Sequence, residues 1–294
     1  MPAPMHKAEI LHRSQCDLGE APVWHPERNS CFWVDVDGRA FFEYSLSTLE
    51  AVRYPLDCRV SLVVPATADE VILTVQGGIA KFNLETKTLQ WLPSPDANWD
   101  THRCNDGGID AKGRLWISTM HLYHEDGAAA VYVIEKDRIT KKISGLTIPN
   151  GFIWSPDDTR LYYTDSLKAA VTCGSFDLQT ATLSSEKIAI QIPGHLGLPD
   201  GMAMDQEGML WIALWGGFGV GRFDPQTGEM TDFIDVPAPQ VSCCCFAGPD
   251  LDRLVITTAR TGMTEEALQK YPGSGDVFIY KTNVRGLLPH KPKL

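Results

Sequence analysis

Positive charge is in short supply in this chain of 294 residues. Lys and Arg number 26 against 37 Asp and Glu, a formal net charge of −11. That balance argues against a nucleic-acid groove or an anionic membrane surface as the main partner, and weighs against a strongly anionic substrate. No apolar run approaches membrane-spanning length. The N-terminus, Met1-Pro2-Ala3-Pro4-Met5-His6-Lys7, lacks the apolar core of a signal peptide. The eight Cys form no C-x-x-C pair and no zinc-finger spacing. Reduced thiols and a cytoplasmic protein are therefore expected, with the Cys243-Cys244-Cys245 run packed in a strand. No Gly-x-Ser-x-Gly elbow occurs, so a serine-hydrolase route has no sequence support.

What the chain does have is a repeated phrase. Leu198-Pro199-Asp200-Gly201-Met202-Ala203-Met204 leads through a tight turn at Asp205 into Leu210-Trp211-Ile212. Asn105 to Ile117 is a second copy, and Asn150 to Tyr163 a third. Glu20 to Val34 is a fourth, with weaker copies starting at Ser61 and Cys243. The turn anchors His25, Ala66, Asp110, Ser155, Asp205 and Gly248 are spaced by 41, 44, 45, 50 and 43 residues. That period is one four-stranded propeller blade. The expected fold is all-β: a single six-bladed β-propeller over residues 1–294, with antiparallel blades, rather than two stacked β-domains. The sixth copy has too little chain left for its outer strand. Residues 7–12 are strand-like and are expected to close that blade. Residues 264–271 read as a short helix.

Inner strands of a propeller line its channel, so equivalent repeat positions share a ring. Five residues before each anchor stand Glu20, Ser61, Asn105, Asn150, Asp200 and Cys243. Five of these six are polar, and unpaired buried polar groups cost several kcal/mol each. A divalent cation on the axis would satisfy them together. Two carboxylates and an amide oxygen are hard ligands suited to Ca²⁺, Mg²⁺ or Mn²⁺, while Zn²⁺ also accepts carboxylates. The turn residues Asp110, Asp157 and Asp205 are expected to cap their own turns.

Four segments carry a resemblance that spans essentially the whole chain. Leu18-Gly19-Glu20-Ala21-Pro22, Arg103-Cys104-Asn105-Asp106-Gly107, Ile148-Pro149-Asn150-Gly151 and Leu198-Pro199-Asp200-Gly201 resemble signatures of the gluconolactonase, senescence-marker-protein and luciferin-regenerating-enzyme family. Later segments, such as Val236-Pro237-Ala238-Pro239, are similar to its bacterial sugar-lactonase branch. The resemblance implies a six-bladed propeller with one divalent metal in the channel mouth. It implies Glu20, Asn150 and Asp200 as metal ligands, Asp200 also as proton acceptor, and Arg103 and Asn105 as substrate contacts. Animal members carry a substrate-contacting Glu where Tyr123 stands here, which leaves Tyr123 as the candidate contact on that side.

The expected reaction is metal-dependent hydrolysis of an aldonolactone. A cation polarises the carbonyl and lowers the pKa of bound water, Asp200 accepts the proton, and Arg103 neutralises developing charge or orients a hydroxyl. Two other readings stand beside it: a lactonase or esterase for a non-sugar or sulfonated sugar lactone, and a non-enzymatic propeller platform. The expected partner is a small sugar lactone, with the chain a monomer or weak homodimer.

Overall fold

In the structure, a computed structural model that describes residues 6–294, the repeats become six sheets of hydrogen-bonded neighbours in sequence order. The first five residues, part of the segment read above as lacking a signal-peptide core, lie outside the described residues. The inner strands are Gly19–His25, Val60–Pro65, His102–Ile109, Pro149–Trp154, Leu198–Met204 and Val241–Ala247. Each contacts the inner strands of both neighbours, and the sixth contacts the first, so the ring is closed: a six-bladed β-propeller.

Alternation of apolar and polar residues sets which faces pack between blades. Phe41 of blade one stacks on Tyr54 at 4.5 Å and meets Phe82 of blade two edge-on at 5.1 Å, arrangements favoured by the ring quadrupole. Second strands such as Ser30–Asp35 are buried along their whole length, while outer strands such as Ala51–Pro55 are largely exposed.

Two of the three turn aspartates tie a buried knot. Asp110 Oδ1 accepts the backbone N–H groups of Lys112 and Arg114, while Oδ2 accepts Arg114 Nε at 2.6 Å and Trp116 Nε1 at 2.9 Å. Asp205 does the same with Glu207 N, Met209 N, Trp211 Nε1 and Arg222 Nε. Both carboxylates are fully buried, which is tolerable because every oxygen is paired and a guanidinium balances the charge. This explains why the phrase repeats an Asp six residues before a Trp. Asp157 caps an exposed turn through Ser155 and Thr159.

The N-terminal segment closes the ring, with one refinement. Glu9–His12 runs antiparallel to Val277–Lys281 and completes blade six. Lys7, expected in the same strand, instead pairs parallel with Asp235 beyond the outer strand of blade five, as His6 does with Ile234. The segment therefore changes partner at Ala8, whose N–H still donates to Asp235 O. The helix Glu265–Lys270 forms as expected, capped by Thr264, whose hydroxyl accepts the Ala267 N–H.

Beneath the ring residues the channel widens into a chamber of about 700 Å³. The C-terminal tail, Leu287 to Lys291, lines its far end. Lys291 pairs with Glu27 there, and Lys293 N–H donates to Gly113 O.

Candidate active site

Every inner strand has a register shift at the level of the ring. In blades one, three, four and five two residues oppose one: after Glu20, Cys104, Asn150 and Pro199. Blades two and six insert one residue, Ser61 and Ser242. Bulges re-aim side chains and strengthen local twist, and they gather next to functional sites. They also split the ring expected from repeat offsets. Glu20 and Asn150 are the last paired residues before their bulges, whereas Asn105 and Asp200 are the first residues inside theirs. In blade six the inserted residue is Ser242 rather than Cys243, because one extra residue shifts the ladder by one.

In blades one and four the residue that opens the bulge has positive φ: Ala21 at 47° and Gly151 at 59°. The chain entering these bulges is clamped identically. Asp35, at the end of its blade's second strand, accepts the N–H of Leu18 at 3.0 Å. Asp165 accepts that of Ile148 at 2.9 Å. Each clamp lies two residues before the ring residue it serves, Glu20 or Asn150.

Four of the expected site residues meet at the channel mouth, three of them in one directed chain. Arg103 Nη1 donates to Asn105 Oδ1 at 2.6 Å, Asn105 Nδ2 to Asn150 Oδ1 at 2.7 Å, and Asn150 Nδ2 to Ser166 Oγ at 2.9 Å. The fourth, Glu20, receives the Ala21 N–H at Oε2 and lies within electrostatic range of Arg103. Asp200 is 8% exposed and Asn150 6%.

The electrostatics are those of too many acids in one dry place. Burial, then the charge of Asp106, pushes Glu20 up to about 8, against the pull of the Ala21 N–H and Arg103. Burial, then Glu20 and Asp106, holds Asp200 well above the usual carboxylate range. Asp106 is itself raised by burial, with the Gly151 and Gly107 N–H groups opposing. Arg103 is lowered by burial, opposed first by Asp37 and then by Glu20. Cys243 is driven far up by burial and by the same three carboxylates, so it is a neutral thiol.

The repeat offset selects Asn105 and passes over Asp106 and Ser166. Asp106 is the third carboxylate of the site, brought in because the blade-three bulge admits two consecutive residues. The adjacent Gly107-Gly108 pair was the available signal, since small residues mark close backbone approach. Tyr123 is not brought into the cluster. It is 84% exposed on the loop after blade three's second strand, with its ring 5.8 Å from that of His121. The His121 ring meets that of His102 edge-on at 5.0 Å.

Among the described residues no three His, Cys, Asp or Glu side chains converge as a metal cluster by themselves. The candidate set mixes two carboxylates, Glu20 and Asp200, with the Asn150 carboxamide. All three offer oxygen, and the buried excess of negative charge suits a hard divalent cation.

Rabbit (Oryctolagus cuniculus) regucalcin is 32% identical over 294 residues, covering 97% of both chains. A calcium-binding regucalcin of Agrobacterium tumefaciens superposes with a TM-score of 0.94 at 27% identity, over 99% of this chain and 100% of that one. A luciferin-regenerating enzyme superposes with a TM-score of 0.90 at 26% identity, over 96% and 97%. Residues 18–260 match the family profile described as the SMP-30/Gluconolactonase/LRE-like region, which contains every ring residue named above, and the chain belongs to that family.

Proposed function

We propose that this propeller is a lactone hydrolase that opens an aldonolactone to the aldonic acid, with one divalent cation held by Glu20, Asn150 and Asp200. Membership of a family named in part for gluconolactonase supports the lactone hydrolase, and a calcium-binding structural relative supports the cation. The observation that carries the reading is the burial of Glu20, Asp106 and Asp200 in mutual electrostatic range with a single nearby guanidinium, Arg103. Such an arrangement is costly unless a further positive charge compensates it.

When bound, the cation polarises the lactone carbonyl and offsets negative charge on its oxygen. Asp200 takes a proton from the attacking water as the new C–O bond forms. It returns that proton to the ring oxygen as the ester bond breaks, leaving carboxylic acid and alcohol on one open chain. Arg103 presents N–H donors at the mouth, where they orient substrate hydroxyls and stabilise the oxyanion, and Asn105, whose two amide hydrogens are held by Pro149 O and Asn150 Oδ1, braces it. The directed chain through Asn105 and Asn150 keeps these donors fixed before substrate arrives.

One observation favours a second reading within the same chemistry. Tyr123 and Leu167, 84% and 55% exposed, lie on loops that follow the second strands of adjacent blades, at the same end as the ring. Exposed apolar groups there suit a lactone with an apolar substituent. The deciding experiment is a panel of sugar and non-sugar lactones in a pH-indicator assay, with and without chelator. Cation-dependent acid release from an aldonolactone is expected. Absence of turnover on every lactone with any of the four cations would leave a binding platform instead.

A further inference from the structure

Asp106 makes contacts that neither the substrate nor the ion needs directly. Its Oδ1 accepts the Gly107 N–H at 2.7 Å, and its Oδ2 accepts the Gly151 N–H of the next blade at 2.6 Å. Its main chain is clasped by Ser118: Asp106 N–H donates to Ser118 Oγ at 3.1 Å, and that hydroxyl donates back to Asp106 O at 2.8 Å. Gly151 is the left-handed residue that opens the blade-four bulge, and it directly follows Asn150. A Cβ at Gly151 would lie 2.5 Å from Met202 Cε and 3.1 Å from Asp200 O. The bulge is therefore gripped from blade three by Asp106 and pressed from behind by the strand that carries Asp200.

We propose that Asp106 is a positioning residue: by tethering Gly151 across the blade interface it fixes where the Asn150 carboxamide points, and so sets the affinity of the site for a divalent cation. This rests on the proposed ligand role of Asn150. The physical reason is the absence of an alternative partner. Gly151 is buried, and a buried N–H without an acceptor is destabilising, so the bulge would relax to find one. Asn150 moves with it, because the two share a peptide plane. Outer partners of metal ligands typically change affinity about 10–100-fold when removed.

Asp106→Asn is the direct test. One carboxylate oxygen becomes an NH₂, which cannot accept either backbone N–H, so one of the two tethers must break. Two readouts separate positioning from general stability. The first is the place of the Asn150 side chain, by crystallography or its side-chain amide resonances, in the chelated protein. The second is the Mn²⁺ or Ca²⁺ dissociation constant by calorimetry. The expected result is a displaced Asn150, loss of its bond from Asn105, and affinity at least tenfold weaker. Turnover at saturating cation should fall far less than affinity does. An unmoved Asn150 with affinity within twofold of wild type overturns the proposal. If Asp106→Asn does not fold, Ser118→Ala loosens the same tether from its other end. A shift in the same direction supports the proposal, and unchanged affinity overturns it. Should the wild type bind no divalent cation, the position of Asn150 in the variant still decides between these outcomes, while the lactone panel separately judges the proposed reaction.

Discussion

Asn105 donates an Nδ2 hydrogen to Oδ1 of Asn150 at 2.7 Å, so one lone pair of that carboxamide oxygen is committed and the other is left for an ion. Because Asn150 Nδ2 is spent on Ser166 Oγ, the amide cannot turn over without breaking bonds at both ends. In the proposed ligand role, that oxygen is aimed before any cation arrives.

Replacing Glu20 by Gln should weaken cation binding at least as much as the about 10–100-fold typical for loss of an outer-shell partner. Activity should fall in parallel at limiting cation. Calorimetry on chelated protein measures it. A Glu20→Gln protein with wild-type affinity would remove Glu20 from the ligand set.

Asp200→Asn separates ligation from proton transfer. The carboxamide keeps one oxygen but cannot accept the water proton, and general-base assistance is worth about 10²–10⁴ in rate. Turnover at saturating cation should fall by that order, with a much smaller change in cation affinity. Turnover near the wild-type value would take Asp200 out of the base role.

The metal-free protein should become less stable as pH rises. Glu20 is pushed from 4.5 to about 8 in the folded chain, and Asp200 is raised too. A carboxyl raised on folding contributes stability that is fully present below its unfolded pKa and is lost as pH climbs through the folded one. The window therefore opens near pH 4.5 and closes near 8. Melting curves in chelator across that range should show the decline, and saturating Ca²⁺ should flatten it. A chelated melting temperature that rises through the window would contradict these shifts.

The turn aspartates are structural, and their contexts rank them. Asp110→Ala strands a buried Arg114 guanidinium and should destabilise by about 3–5 kcal/mol. Asp157→Ala breaks only exposed turn bonds and should melt close to wild type. Chemical denaturation of both variants checks the order. Equal effects would mean that the buried Arg114 finds another partner.

Much of this was readable in the chain because the blade repeat is both periodic and chemical. The Asp110 and Asp205 turns each place a Trp six residues on to donate to the buried carboxylate, so spacing and hydrogen bonding say the same thing. Glu20, Asn150 and Asp200 stood out by offset together with Ser61, Asn105 and Cys243, and the family resemblance picked those three from the ring. Asp106 did not, because a bulge of two residues turns neighbours to the site together while an offset picks only one. The split of residues 6–12 between two blades was hidden for another reason. Nothing in His6-Lys7-Ala8-Glu9 marks the place where pairing passes from Asp235 to Ile279, since that depends on where two outer edges happen to meet.

Truncation tests that seam. Removing residues 1–11 exposes the edge of Val277–Lys281, strips Leu11 from the cluster that contains Trp33, Phe42 and Tyr44, and unmoors His12, which faces those rings. The melting temperature should fall by more than about 5 °C, given that 1 kcal/mol corresponds to about 2–4 °C for a large domain. Cation affinity should stay within a few-fold. A truncated protein that melts like the whole would make the segment a loose tail.

The same seam orders events during synthesis. Glu9 leaves the ribosome 270 residues before its partner Ile279 (279 − 9). While those residues are made, the Glu9–His12 strand is a hydrogen-bonding edge without its blade-six mate, and the half-built ring has an open flank. Closing so long a loop adds only a logarithmic entropy term, but it cannot begin until blade six exists. The nascent chain is most open to pairing with a second nascent chain during that interval. Its early residues, His6-Lys7-Ala8-Glu9, carry the kind of charge that discourages such pairing.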